Sequence, residues 1–347
     1  MGHGFLDSPA ASPPASVGIA STTSEVRAMR AIQVKQFGGP EVLQLVDLPN
    51  PEPGPNQVVV KLHAVGVNPV DTYIRSGAYG ERPLPYTPGS DAAGELLRVG
   101  EEVKGWKVGD RCYLTGSQTG TYADTALCLS SQIQRLPDSI TYQQGAALYV
   151  PYSTAYRAIF QRGGAKPGQW LLIHGASGGV GLAATQWARA MGLKIIGTAG
   201  TEEGLQNVLK QGAHHALHHK SADYRRQVAE ITGGNGPDLI VEMLANVNLQ
   251  HDLDMLAKYG TIVVIGNRGN LDFNPRAAMG KEANIHGMSL FNTPPELMDQ
   301  IQAAIVAGLQ QGFLHPIIAR EFPLEEAAAA HTAVLEPGAM GKIVLIP

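Results

Sequence analysis

Two rhythms of hydrophobicity divide the chain. From Met29 onward, "RAIQV", "VVVKLHAVGV", "AAGELLRVG" and "DRCYL" are short alternating or apolar runs broken by Gly and Pro. That pattern predicts an all-β region. Between residues 151 and 290 the rhythm changes: "WLLIHGA", "LKIIGTAG", "DLIVEML" and "TIVVIG" are continuous apolar runs, each separated from the next by a helical stretch. Apolar strands spaced by helices predict a parallel sheet covered on both faces. The tail is mixed, with a helix expected near "PELMDQIQAAIVAGL" and a closing strand at "KIVLIP". The whole pattern predicts a β-rich domain interrupted by an α/β domain, the tail returning to the first. Residues 1–28, ending "SVGIASTTSEVRA", carry neither period. Their Ser, Ala, Gly and Pro content predicts a disordered extension.

Composition narrows the class. With 44% hydrophobic and 16% charged residues, the 347-residue chain has enough apolar material for two cores. A net charge of −4 and a pI near 6.3 advertise no surface for nucleic acid or anionic membrane. Cys112 and Cys128 are the only cysteines, too few for a disulfide framework, so a reduced, cytoplasmic setting is expected. No apolar run approaches the roughly 20 residues that span a bilayer. The first residues lack the charged start and apolar middle of a secretory signal, and Asp7 and Glu25 argue against a mitochondrial presequence. Leu6 stands where a myristoylation motif has Ser or Thr.

The stretch "LLIHGASGGVGLAATQWARA", residues 171–190, gives up side chains next to a very hydrophobic run. It reads Ala176-x-Gly178-x-x-Gly181 between a strand and a helix, the context in which a dinucleotide fingerprint is credible. Gly178 would let backbone approach a pyrophosphate, and Gly181 would allow close helix–strand packing. A ligand-free strand–helix turn is the plain alternative; the surrounding strand–helix alternation favours the nucleotide. The following strand, Ile195 to Gly200, has no acid at its tip to bind a ribose 2′-hydroxyl, which favours a 2′-phosphate and hence NADP. Glu202 and Glu203 just beyond temper that inference. The run His214-His215-Ala216-Leu217-His218-His219 is read as a polar connection after a helix rather than a metal site, since no nearby Cys or carboxylate completes a ligand set.

These residues carry a resemblance. Gly168, Gln169, Leu172, Ala176-Ser177-Gly178-Gly179, Gly181, Gln186 and Arg189 fit a family signature, and "VNPVDTYIRSG", "PYTPGSD", "PYSTAYRA", "GTAGTEEG", "VEMLANVNL" and "GNRG" are further shared blocks. From Met29 to its end the chain resembles the zeta-crystallin, or NADPH:quinone oxidoreductase, branch of the medium-chain dehydrogenase/reductase superfamily. The resemblance implies an α/β protein with a GroES-like β-rich catalytic domain (29–150), a Rossmann doubly wound NADPH-binding domain (151–287) and a segment returning to the first domain (288–347). Zinc enzymes of the superfamily hold catalytic metal through a Cys near the present Asn68 and a His-Glu pair near Ser90-Asp91, and need four close cysteines for structural zinc. Two cysteines with fifteen residues between them cannot supply these sets, so no metal is expected.

The resemblance also assigns residues. Tyr73 is implied beside the nicotinamide, with Asn68 in the same segment; either could meet charge developing on a quinone oxygen. Ser177, Gly178, Gly179 and Val180 would line the pyrophosphate, Gly200 the ribose phosphate, and His219 the adenosine phosphate. Asn248 and the block Ile265, Gly266, Asn267, Arg268 would contact the nucleotide from later strand ends. Met288, Ser289 and Leu290 would pass the nicotinamide end. Core packing is the competing reading for Tyr73, Val180, Ile265 and Leu290. Tyr149 and Ser153 depart from the usual residues of their block and would alter quinone preference if they line the substrate cleft. The implied substrate is a quinone, ortho-quinones included, reduced by a homotetramer. Relatives recruited as lens proteins or binding AU-rich RNA define the alternative role, in which NADPH binding is retained without turnover.

Overall fold

The computed structural model describes residues 1–2, 28–80 and 82–347. The extension expected to be disordered lies almost wholly outside them. Strands β1 (Ala28–Val34) and β2 (Leu43–Pro49) form an antiparallel pair. They are followed by β3 (Gln57–Val67), helix α1 (Pro69–Arg75), β4 (Asp91–Val99), β5 (Arg111–Thr115), β6 (Thr125–Leu129) and β7 (Ile133–Arg135). Helices α2 (Tyr142–Gly145) and α3 (Tyr149–Tyr156) lead out of this β-rich part.

The alternating region follows as β8 (Trp170–Ile173), α4 (Gly179–Ala190), β9 (Lys194–Ala199), α5 (Glu202–Lys210) and β10 (His215–His218). It continues through α6 (Tyr224–Ile231), β11 (Leu239–Glu242), α7 (Ala245–Met255), β12 (Thr261–Val264), α8 (Pro275–Lys281) and β13 (Asn284–Gly287). These six strands are all parallel in the order β10-β9-β8-β11-β12-β13. The chain runs outward from β8 to β10, then crosses back to β11, so the order reverses at β8/β11. That reversal opens a crevice beyond the carboxyl ends of the strands, where doubly wound sheets bind nucleotides.

Alternate residues of each central strand serve opposite faces. Leu171, Ile173, Ile195, Val241 and Val263 pack with Leu182, Ala183 and Trp187 of α4. Leu172, Ile196, Ile240 and Ile262 pack with Val228 of α6 and Leu253 of α7. Both faces are dry, which is why the strands read as continuous apolar runs; each buried Leu or Ile is worth about 1.5–3 kcal/mol.

The histidine run corrects its reading as a connection. His215–His218 is a strand, β10, on the edge of the sheet and parallel to β9. Its one large apolar residue, Leu217, is buried, and the histidines flank it. A single inward hydrophobe gives no alternation to read; the partner strand supplies the order.

The tail continues as α9 (Pro295–Gln310), β14 (Ile318–Pro323), α10 (Ala327–Ala333) and β15 (Lys342–Ile346). Ile301, Ile305 and Leu309 of α9 join the α4 side of the core. Strand β15 then pairs antiparallel with β3, Ile343 opposite Val67, completing the sheet β14-β15-β3-β4-β5-β7. No helix among the described residues is long and apolar enough to cross a membrane.

Candidate active site

The glycine turn is built for close approach. Gly175 has φ +57, a left-handed conformation that lets the chain swing from β8 toward α4. A Cβ on Gly181 would lie 2.4 Å from the Gly175 carbonyl oxygen and 2.5 Å from Ala176 Cα, so only glycine lets the first turn of α4 touch the strand end. At Gly178 a Cβ would meet nothing nearer than 3.5 Å. Gly178 is the N-cap of α4 and offers no side-chain cap, leaving the first amides of a 12-residue helix free to bind an anion. Ser177, Gly178, Gly179 and Val180 therefore form one amide-lined edge of the crevice.

Strand β9 ends at Ala199, with no carboxylate at its tip. Thr201 caps α5 through the Gly204 amide, while Glu202 and Glu203 are exposed and Glu202 accepts from Gln206. A Cβ on Gly200 would lie 3.0 Å from the His219 ring, which brings those two predicted residues together. Desolvation first, then His218, His174 and Lys220, lowers the His219 pKa, so its ring is neutral and acts by hydrogen bonding. Asn248 stands apart on α7, where its amide donates to Glu242 at 3.2 Å.

At the other end lies a cavity of about 260 Å³ between the two sheets' domains. Asn68 and Tyr73 line it from the β-rich side; Val180, Ile265, Gly266, Asn267, Arg268, Met288, Ser289 and Leu290 line it from the other. Arg268 Nε donates to Tyr73 Oη at 3.1 Å across the gap, and Asn246 Oδ1 accepts from the Arg268 backbone amide at 3.0 Å. Tyr73, on helix α1, thus lines the cavity rather than packing in the core of the β-rich domain. Its ring stacks on Tyr79 at 6.1 Å between centroids. Val150, Tyr79 and Phe291 also line the cavity without any sequence signal, and Thr154 and Met243 line it from within shared blocks that gave them no role. Of the two residues singled out in "PYSTAYRA" and its approach, Ser153 is fully buried and accepts from Gln302 at 3.0 Å, so it lines nothing. The neighbouring hydroxyl that reaches the cavity is Thr154. Tyr149 lines a separate, outer cavity.

Asn68 is held rather than free. It is 2% exposed; its amide donates to Asp91 at 3.0 Å and its Oδ1 accepts from Lys342 Nζ. Lys342 also pairs with Asp91 at 2.7 Å, and Asp91 accepts the Val150 amide at 2.9 Å. The place corresponding to the superfamily's zinc ligands is therefore organised around an ammonium ion. Next to it, Asp71 accepts from the Asn68 amide at 2.8 Å and from Tyr122 at 3.3 Å, and burial pushes its carboxyl up to about 7. Tyr122 and Arg75 in turn contact the two ring nitrogens of buried His331 at 2.9 and 3.1 Å.

A second buried cluster lies under the glycine turn. His174, Glu242 and Asp252 bring their ligand-type atoms within 4.8 Å of one another, with His174 Nε2 2.7 Å from Asp252 and 3.5 Å from Glu242. Despite the desolvation that opposes it, the two carboxylates raise His174 to about 9, so the nitrogen that a metal would need carries a proton at neutral pH. Cys112 and Cys128 are buried free thiols, and burial pushes Cys112 up to about 12. Neither is a nucleophile.

Known proteins agree with this geometry. Residues 54–147 match the alcohol dehydrogenase GroES-like domain family, and residues 179–304 match the family described as zinc-binding dehydrogenase. The human quinone oxidoreductase is 48% identical over 321 residues, covering 92% of this chain and 98% of that protein. Quinone oxidoreductase 1 of Escherichia coli is 33% identical over 329 residues, covering 91% and 99%. The crystal structure of the Escherichia coli quinone oxidoreductase complexed with NADPH superposes with a TM-score of 0.85 at 33% identity, over 92% of this chain and all of that one. A chain with this strand order, this glycine turn and these relatives belongs to the quinone oxidoreductase family of medium-chain dehydrogenases/reductases.

Proposed function

We propose that this oxidoreductase binds NADPH along the switch-point crevice and reduces quinones, ortho-quinones among them, in the 260 Å³ cavity. The observation that carries the reading is the Tyr73–Arg268 hydrogen bond at 3.1 Å, which joins the two domains at the cavity wall. When bound, the nicotinamide supplies the hydride; the protein's task is to orient, exclude water and meet the charge that develops on oxygen. Tyr73 accepts from Arg268, so its own O–H proton is free to donate toward an acceptor oxygen in the cavity. Asn68, tied to Asp91 and Lys342, fixes the start of α1 and thereby the position of Tyr73. The amides of Gly178 to Val180 would hold the pyrophosphate. The bare tip of β9 leaves room for a 2′-phosphate beside His219, which supports NADPH over NADH.

The test is NADPH oxidation against a panel of ortho- and para-quinones, with alkenals as a contrast. Saturable quinone reduction is expected, and binding of NADPH with no acceleration by any quinone overturns the reading. Turnover is expected to survive exhaustive chelation, because the Lys342 ammonium already neutralises Asp91 where a metal would sit. Activity lost on chelation and restored by zinc alone would contradict that account.

A further inference from the structure

Beyond the cavity that holds Tyr73 lies a larger one of about 810 Å³, inside the β-rich domain. The two share a wall. Phe291 lines both, Tyr149 of the outer cavity precedes Val150 of the inner, and Ile74 of the outer follows Tyr73 of the inner. The outer cavity is more polar than the inner: Ser90, Thr115, Ser117, Gln118 and Gln132 contribute to its lining. Among the described residues its charged lining residues are Asp71 and Arg82. Asp71 is tied through Oδ2 to the Asn68 backbone amide and to Tyr122. Arg82 is different. Its guanidinium lies 4.0 Å above the Tyr86 ring, and no carboxylate among the described residues lies within ion-pair distance of it. The Ser117 hydroxyl, in the lining, is buried with no hydrogen-bond partner among the described residues, and the Tyr86 hydroxyl lies within reach of the Arg82 charge.

A planar guanidinium with no carboxylate partner among the described residues, next to a buried unpaired hydroxyl, is the chemistry that recognises a carboxylate or sulfonate. Unpaired buried donors are costly, so a ligand that satisfies them binds with a gain a plain hydrocarbon cannot give. We propose that the outer cavity is an acceptor-tail site: it takes the anionic substituent of a quinone whose ring occupies the inner cavity, with Arg82 as the residue that selects it. The proposal rests on the quinone-reductase reading and names the acceptor class: polar quinones bearing a carboxylate or sulfonate, in preference to quinones with hydrocarbon tails. The redox balance is that of the parent reaction, one hydride and one proton converting quinone to hydroquinone, and the tail stays unchanged.

The test compares 1,2-naphthoquinone with its 4-sulfonate. In the wild type the sulfonate is expected to have the higher kcat/KM by about tenfold or more, mostly through KM. Arg82→Gln should bring the ratio near unity, Arg82→Lys should keep part of it, and salt should shrink it in the wild type. The dissociation constant of NADPH should not move in either variant. A wild-type ratio near unity, or one that Arg82→Gln leaves intact, overturns the proposal. Calorimetric binding of the sulfonated hydroquinone to the NADP⁺ complex separates this result from the parent reading. Arg82-dependent binding without turnover supports the tail site while removing the reductase assignment; binding indifferent to Arg82 removes the tail site alone.

Discussion

At the scale of single residues, Tyr73 is where packing and chemistry separate. Tyr73→Phe keeps the ring stacked on Tyr79 and removes the oxygen that Arg268 reaches. A net hydrogen bond of about 0.5–1.5 kcal/mol corresponds to a loss in kcat/KM of about threefold to tenfold. The loss should fall on kcat if the hydroxyl serves the acceptor oxygen and on NADPH affinity if it orders the cofactor. Unchanged kinetics and affinity in a folded variant would make Tyr73 a packing residue. Cofactor choice is the second residue-level question. Ala199 is 1% exposed and packs against the Gly204 turn, so an acid placed there tests packing as well as charge. Gly200 is the second position, its missing side chain pointing at the His219 ring 3.0 Å away, which must shift slightly to admit a Cβ. Gly200→Asp should weaken NADPH by about tenfold or more while sparing NADH, like charges opposing the 2′-phosphate. Parallel losses for both cofactors would locate the effect in the backbone instead.

At the scale of elements, the glycine turn yields a contrast between neighbours. Gly181→Ala drives a methyl into backbone at 2.4 Å, where neither β8 nor α4 can yield, and should cost about 1–3 kcal/mol of stability. Gly178→Ala has room in the fold, with φ −79 already suited to alanine. It should leave the melting temperature nearly unchanged and lower NADPH affinity by standing between the amides and the phosphates. If both changes act on stability alone, the turn is merely a packing device. The same region marks what could be read from the chain. β8, β9, β11 and β12 were legible because their buried faces on both sides make unbroken apolar runs. β10 was not, because an edge strand with Leu217 as its one large inward residue resembles a loop. Ser153 and Thr154 show the matching limit at the site. Adjacent hydroxyls on α3 differ only in which way the helix turns them, and that depends on Gln302 of α9, 149 positions away.

At the scale of the molecule, the family's motif residues marked most of the cavity, yet the contacts that organise it join distant parts of the chain. Lys342 reaches back to Asn68 and Asp91, and His331 to Arg75 and Tyr122. No local pattern announces such pairs, since each depends on β15 and α10 docking onto the first domain. These buried groups also set how the fold responds to pH. Asp71 is held up to about 7 by burial, so on raising pH the unfolded chain ionises this carboxyl first and the native state falls behind. His174 is held up to about 9 by Asp252 and Glu242, so the native state keeps a proton that the unfolded chain gives up earlier. Glu242, also pushed up by burial, adds to the same trend. All three signs agree: each contribution is complete only below the group's unfolded pKa, about 4 for the carboxyls and about 6.5 for His174, and is lost as pH climbs to the folded value. Thermal or urea unfolding followed from about pH 5 to about pH 9 should therefore show stability falling with pH. Asp71→Asn, which keeps an acceptor for the Asn68 amide, should flatten the slope in the first domain's range. Glu242→Gln should flatten it in the nucleotide-binding domain. A wild-type stability that rises steadily from pH 5 to pH 9, or slopes that neither variant alters, would mean that these buried groups are hydrated and titrate as they do in the unfolded chain.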